Sequence, residues 1–167
     1  MDRKQFLTYL SVHFGRIHRV LNLIPEKQWN YRPIKGTRTV SELVGHLINH
    51  YRFIQTSIKG TVPPKTFFDT LPTVTNRSDT LGTLNTVFEE TWILVNDTKD
   101  TVWNKTVTYP FTGTTLPLWS LCRNMVENQF HYLGQLCVYG SLLNLSVPPT
   151  FSPTGYETWT PKTVSHS

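Results

Sequence analysis

The sequence predicts an all-α fold, a four-helix bundle with long crossover loops. Apolar residues recur at spacings of three and four along four separate stretches. Segments rich in proline, glycine and threonine separate those stretches. The chain has 167 residues and is 38% hydrophobic, which suits one compact domain with a real core.

The first helix is expected over Arg3 to Leu23. Phe6, Leu7, Leu10, Phe14, Ile17, Leu21 and Ile24 form its apolar stripe, and Pro25 ends it because proline cannot continue the hydrogen-bond ladder. His13 and His18 flank the stripe and read as structural. The turn-rich segment PEKQWNYRPIKGTR follows. The second helix opens at Thr39, since Thr39-Val-Ser-Glu42 has the spacing of a capping box. Its face is Val40, Leu43, Leu47, Tyr51, Ile54 and Ile58, and Gly60 with Pro63-Pro64 closes it.

A long loop runs from Thr61 to Arg77. Ser78 or Asp79 is expected to cap the third helix, which ends near Asp97. Leu81, Leu84, Val87, Phe88, Thr91, Leu94 and Val95 give it an apolar side. In the threonine-rich connection that follows, Val107, Tyr109 and Phe111 alternate and suggest a short extended piece. The fourth helix is expected from near Leu116, with Pro117 in its first turn, to Leu145, before Pro148-Pro149. The bundle thus occupies residues 1–150. Residues 151–167 form a C-terminal tail, packed on the bundle through Tyr156 and Trp159 or partly disordered. The connections are long enough to cross the bundle, so up-down-up-down order is not forced.

The formal charge is +5 and the pI is about 9.3, but the basic residues are scattered, with no polybasic tract. This argues for a mildly basic surface and against nucleic acid as a partner. No apolar run approaches the ~18 residues that span a bilayer, so no membrane association is expected. The N-terminus, MDRKQFLTYL, lacks the apolar core of a signal peptide. Cys122 and Cys137, on one helix, would lie about 22 Å apart at 1.5 Å per residue. That is too far for a disulfide, and both read as buried thiols on the apolar face, consistent with a cytoplasmic protein.

His46 and His50 are one turn apart and share a face of the second helix, where both can reach one ion. His50 lies inside the core-facing arc and His46 at its edge. Two ligands do not hold zinc, so a third must come from another helix. The stretch VENQFHYLGQ, residues 126–135, is the place to look. At 100° per residue His131 points away from the core, whereas Asn128 and Tyr132 point to its edge.

Two runs carry a family resemblance. IPEKQWNYRPIKGTRTVSELVGHL resembles the start of DinB-like (YfiT-like) proteins, and FHYLGQLCVYGSLLNLSVPP resembles their last bundle helix and its exit. The resemblance covers Phe6 to Pro149. It implies a four-helix bundle, often a homodimer, with a divalent metal, zinc or nickel, held by three histidines. Some members are thiol-dependent transferases or isomerases; others are known only as candidate metal-dependent hydrolases. Carried over by position, His46 matches the first metal ligand. Asn128 and Tyr132 stand at the other two ligand positions, and His131 matches a histidine that is not a ligand.

The resemblance therefore implies a degenerate metal site, because a neutral amide and a phenol with a pKa near 10 are weak ligands for a divalent ion. Two functions compete. One is a metal-dependent transferase or hydrolase acting on a small thiol or electrophile. The other is a non-catalytic, metal-free bundle, stress-associated and dimeric or binding a small molecule in a pocket of His46, His50, Asn128 and Tyr132. Trp92 and Trp103, expected to be exposed, would aid a dimer.

Overall fold

The computed structural model describes residues 1–72 and 76–147. Four long helices, α1 (Arg3–Leu23), α2 (Val40–Ile58), α3 (Arg77–Asp97) and α5 (Leu118–Leu142), surround one core. A short helix, α4 (Asp100–Trp103), and a hairpin of β1 (Thr106–Thr108) and β2 (Thr115–Pro117) connect α3 to α5. The Pro148-Pro149 exit and the tail lie outside the described residues.

Local chemistry fixes the helix ends. Asp2 caps α1 by accepting from the Gln5 amide, and the Gln5 side chain returns a bond to the Asp2 amide. Thr39 and Glu42 form the expected capping box. The cap of α3 is Asn76, whose side chain accepts from the Asp79 amide, so neither Ser78 nor Asp79 is the cap. α5 starts at Leu118, two residues later than its periodicity suggests. Leu116 pairs with Val107 across the hairpin, and Pro117 is the residue before the helix. The alternation at Val107 therefore marks a real strand.

Helix direction follows from named contacts. Arg3 donates to the Asn96 carbonyl at 2.7 Å and pairs with Asp100 at 3.0 Å, so α1 begins where α3 ends. At the opposite end Arg77 reaches the carbonyls of Leu21 and Asn22. The last turn of α1 has no basic residue of its own, and this arginine satisfies its free carbonyls. His13 meets Phe130 edge-on at 4.0 Å, and Tyr9 bonds Arg123, so α1 and α5 run parallel. The Tyr139 hydroxyl donates to the Arg38 carbonyl and Tyr51 to Gln129, so α2 and α5 run antiparallel. α2 and α3 must then be parallel neighbours.

Parallel neighbours need a connection as long as the helix itself. The connection begins by running back over α2 along residues 59–72. Phe68 packs on Phe53, Asn49 donates to the Thr70 carbonyl at 2.8 Å, and Leu71 and Pro72 pass over Gly45. Gly45, Asn49 and Phe53 form one i, i+4 ridge. This cover explains why 15 of the 19 residues of α2 are buried.

Three sequence expectations change on packing. Trp103 is 1% exposed, with its indole donating to the Met1 carbonyl, so it offers no dimer surface; Trp92 is half-buried. His13 lies in the core rather than at its edge, between the rings of Tyr9 and Phe130. Cys122 is fully buried but Cys137 only half so.

The buried polar pair at the centre of the bundle is testable. Tyr51 donates to Gln129 Oε1 at 3.0 Å, and the other end of that amide, Nε2, has no partner among the described residues. Tyr51→Phe should destabilise the fold by about 1–3 kcal/mol, because it strands the rest of the amide. Adding Gln129→Met should recover most of that loss. Urea unfolding of the three variants checks it, and a double variant no more stable than Tyr51→Phe would contradict it.

Candidate functional site

A cleft of about 350 Å³ opens between α2 and α5, bounded by the crossover and the hairpin. His46, His50, Asn128 and Tyr132, the four positions singled out from sequence, all line it. His131 is exposed, as helical geometry requires, yet it lies on the cleft rim and belongs to the lining.

The capping box sets the start of α2, and with it the angle at which both histidines enter the cleft. His46 is 7% and His50 4% exposed, so the expected edge position of His46 is buried by its neighbours. The Tyr132 ring lies parallel to His46 at 5.7 Å and tilted against His50 at 5.4 Å. Phe68 from the crossover meets His50 edge-on at 5.1 Å. Asn128 is exposed at the mouth, where its side chain hydrogen-bonds Tyr109 of the hairpin.

Burial pushes the His46 imidazole down to about 4; the nearby Arg38 charge adds to this and Glu42 opposes it. His50 falls to about 3 through burial and the neighbouring His46. Burial raises the Tyr132 phenol above its ordinary value, with Arg38 opposing. At neutral pH the cleft thus presents two neutral imidazoles and a neutral phenol. His50 Nδ1 is shielded from solvent and has no hydrogen-bond partner among the described residues.

This donor set does not fit a tightly held metal. Among the described residues, no three His, Cys, Asp or Glu side chains are placed to share an ion. Tyr132 packs on the histidines as a ring, its phenol has become harder to ionise, and Asn128 is engaged by Tyr109.

Sequence reasoning missed several residues of this cleft. Arg38, Lys65, Phe68 and Asp69 come from loops, and Phe111 from the hairpin tip. Phe68 joins Phe53, Phe67 and Phe111 in a group of aromatic rings beside His50. The double phenylalanine, Phe67-Phe68, after Pro63-Pro64 was the one available signal: two large apolar side chains in a loop require something to pack against.

The family model of the DinB superfamily matches residues 9–136. The chain belongs to the DinB superfamily. No curated protein matches it significantly. Among crystal structures, a DinB-like protein of Bacillus subtilis, YjoA, is similar with a TM-score of 0.65 and 18% identity. The match covers 85% of this chain and 94% of that one. YfiT of Bacillus subtilis is similar with a TM-score of 0.65 and 15% identity, covering 86% of this chain and 89% of that one. YfiT is described as a probable metal-dependent hydrolase with an unusual four-helix bundle topology. The DinB fold resemblance read from sequence is thus correct, and no helix of this DinB chain, among the described residues, is long and apolar enough to cross a membrane.

The buried histidines predict a pH dependence. His13, like His46, is pushed down to about 4, and His50 to about 3, against an ordinary value near 6.5. Below pH ~6.5 the unfolded chain binds protons that the folded DinB bundle refuses, so stability is full above that pH and falls as pH drops toward about 4. Denaturant midpoints at pH 7.5, 5.5 and 4.5 should decline in that order. His13→Phe should flatten the slope, and a midpoint constant across the window would refute the assignment.

Proposed function

We propose that this DinB-superfamily chain binds a small organic molecule in the α2–α5 cleft through its own side chains, without a tightly held metal. The supporting observation is the packing of Tyr132 on both His46 and His50, at the position where the family resemblance implies a histidine ligand. The engagement of Asn128 by Tyr109 adds to it. A neutral pair of imidazoles and a phenol provides hydrogen-bond donors and acceptors for an organic ligand. Cys122 supplies no nucleophile, since it is fully buried and burial pushes its thiol up. Cys137 does not line the cleft either, so any thiol used there must come in with the ligand or as a co-substrate.

A metal-dependent hydrolase is the second reading. It is favoured by His46 in Gly45-His46-Leu47, which keeps a ligand-type residue inside the cleft. Metal analysis of the untagged protein separates the two. After soaking in zinc, nickel or manganese and gel filtration, the metal content should be far below one per chain. Stoichiometric metal that disappears in His46→Ala would establish the second reading instead.

A further inference from the structure

Two cations border the cleft. Arg38 lies just before the cap of α2 and Lys65 in the short 3-10 turn of the crossover, and both line the cavity. Neither is within ion-pair distance of a carboxylate among the described residues. The nearby Glu42 is already committed: both its oxygens accept from Arg32 at 3.1 Å, and one also accepts from the Thr39 amide. Asp69 shares the lining, so the mouth carries two positive charges and one negative.

Aromatic and apolar side chains share the lining with these charges. Phe68, Phe111 and Tyr132 line the cavity together with Met125. Phe68 and Phe111 pack tilted against one another with centroids 6.0 Å apart, and Tyr132 stacks on His46. His50, which lines the same cleft, has a buried Nδ1 with no hydrogen-bond partner among the described residues. Charged recognition at the mouth and aromatic walls within describe a ligand with two unlike ends.

We infer that the ligand is a small organic carboxylate with a flat apolar body. Its charge is held by Arg38 and Lys65 at the mouth, and its body lies between Phe68, Phe111 and Tyr132. The inference rests on the reading of the cleft as a small-molecule site. A guanidinium fork suits a planar carboxylate, and the lysine adds a second, mobile charge.

Cinnamate and its neutral amide, cinnamamide, test this, because they share a body and differ in charge. Both are titrated calorimetrically into the full chain in the presence of EDTA, while NMR follows the imidazole signals of His46 and His50. Cinnamate should bind about tenfold more tightly than cinnamamide and shift both imidazole signals. In Arg38→Gln with Lys65→Gln that preference should fall to about one, chiefly through loss of cinnamate affinity. Both side chains are exposed, and an unchanged melting temperature will show that the variant folds. Equal affinities for the two ligands, or a preference that survives in the variant, overturn the carboxylate inference alone. If neither ligand binds, or if the histidine signals stay still, the small-molecule reading of the cleft falls with it.

Discussion

A chain carrying Asn128→His together with Tyr132→His is expected to gain stoichiometric zinc or nickel. The two positions are one helical turn apart on α5, both line the cleft, and His46 faces them from α2. Three imidazoles then replace one imidazole, one amide and one phenol. The change removes the ring stacked on His46 and frees position 128 from its bond to Tyr109. Three protein ligands with one open position suffice for a catalytic-type zinc site, whereas two do not. Affinity should therefore rise by at least about a thousandfold over the parent. Either single substitution should give much less, and His46→Ala in the double variant should abolish the gain. Calorimetric titration with zinc decides the matter. A double variant that binds no better than the parent would mean that positions 46, 128 and 132 do not converge.

The bundle itself was legible because its signals are local. The apolar stripe of α1, the proline that follows it and the capping box of Thr39 with Glu42 each act within a few residues. The start of α3 was ambiguous because Asn76, Ser78 and Asp79 all have side chains that can cap. Only the backbone fixes the choice. The start of α5 was misplaced because Leu116 belongs to a strand pairing with Val107, a contact that helical periodicity does not register. Trp103 was read as exposed because its partners, Met1 and Phe6, lie at the other end of the sequence.

The same distinction divides the cleft. Residues on the two helices were found because i, i+4 spacing places them on a face. Lys65, Phe68 and Phe111 were not, because they reach the cleft through the crossover and the hairpin, and Arg38 was not, because it enters from the loop before α2. The positions of Lys65 and Phe68 depend on α2 and α3 being parallel, which sends residues 59–72 back along α2. The length of the loop allowed such a crossing but could not say which helix face it would cover.

The parallel packing of α2 and α3 also locates the largest expected loss of stability, at Phe88. Its ring stacks on Phe14 of α1 with centroids 3.8 Å apart and meets Tyr51 of α2 edge-on at 5.7 Å. It is fully buried, so one side chain joins three helices. Phe88→Ala removes that contact and leaves a cavity that rigid helices close only in part, at a cost of about 3–5 kcal/mol. For a domain of this size that lowers the melting temperature by on the order of 10 °C. Ile93→Ala, on the exposed side of the same helix at 41% exposure, should change stability by less than about 0.5 kcal/mol. The α2–α5 cleft lies on another side of α2, and Phe88 does not line it. Cinnamate affinity measured well below the transition should therefore match that of the parent. A large loss of affinity in Phe88→Ala would show that the cleft depends on the bundle centre, whereas a melting shift no greater than that of Ile93→Ala would show that Phe14 and Tyr51 close the gap.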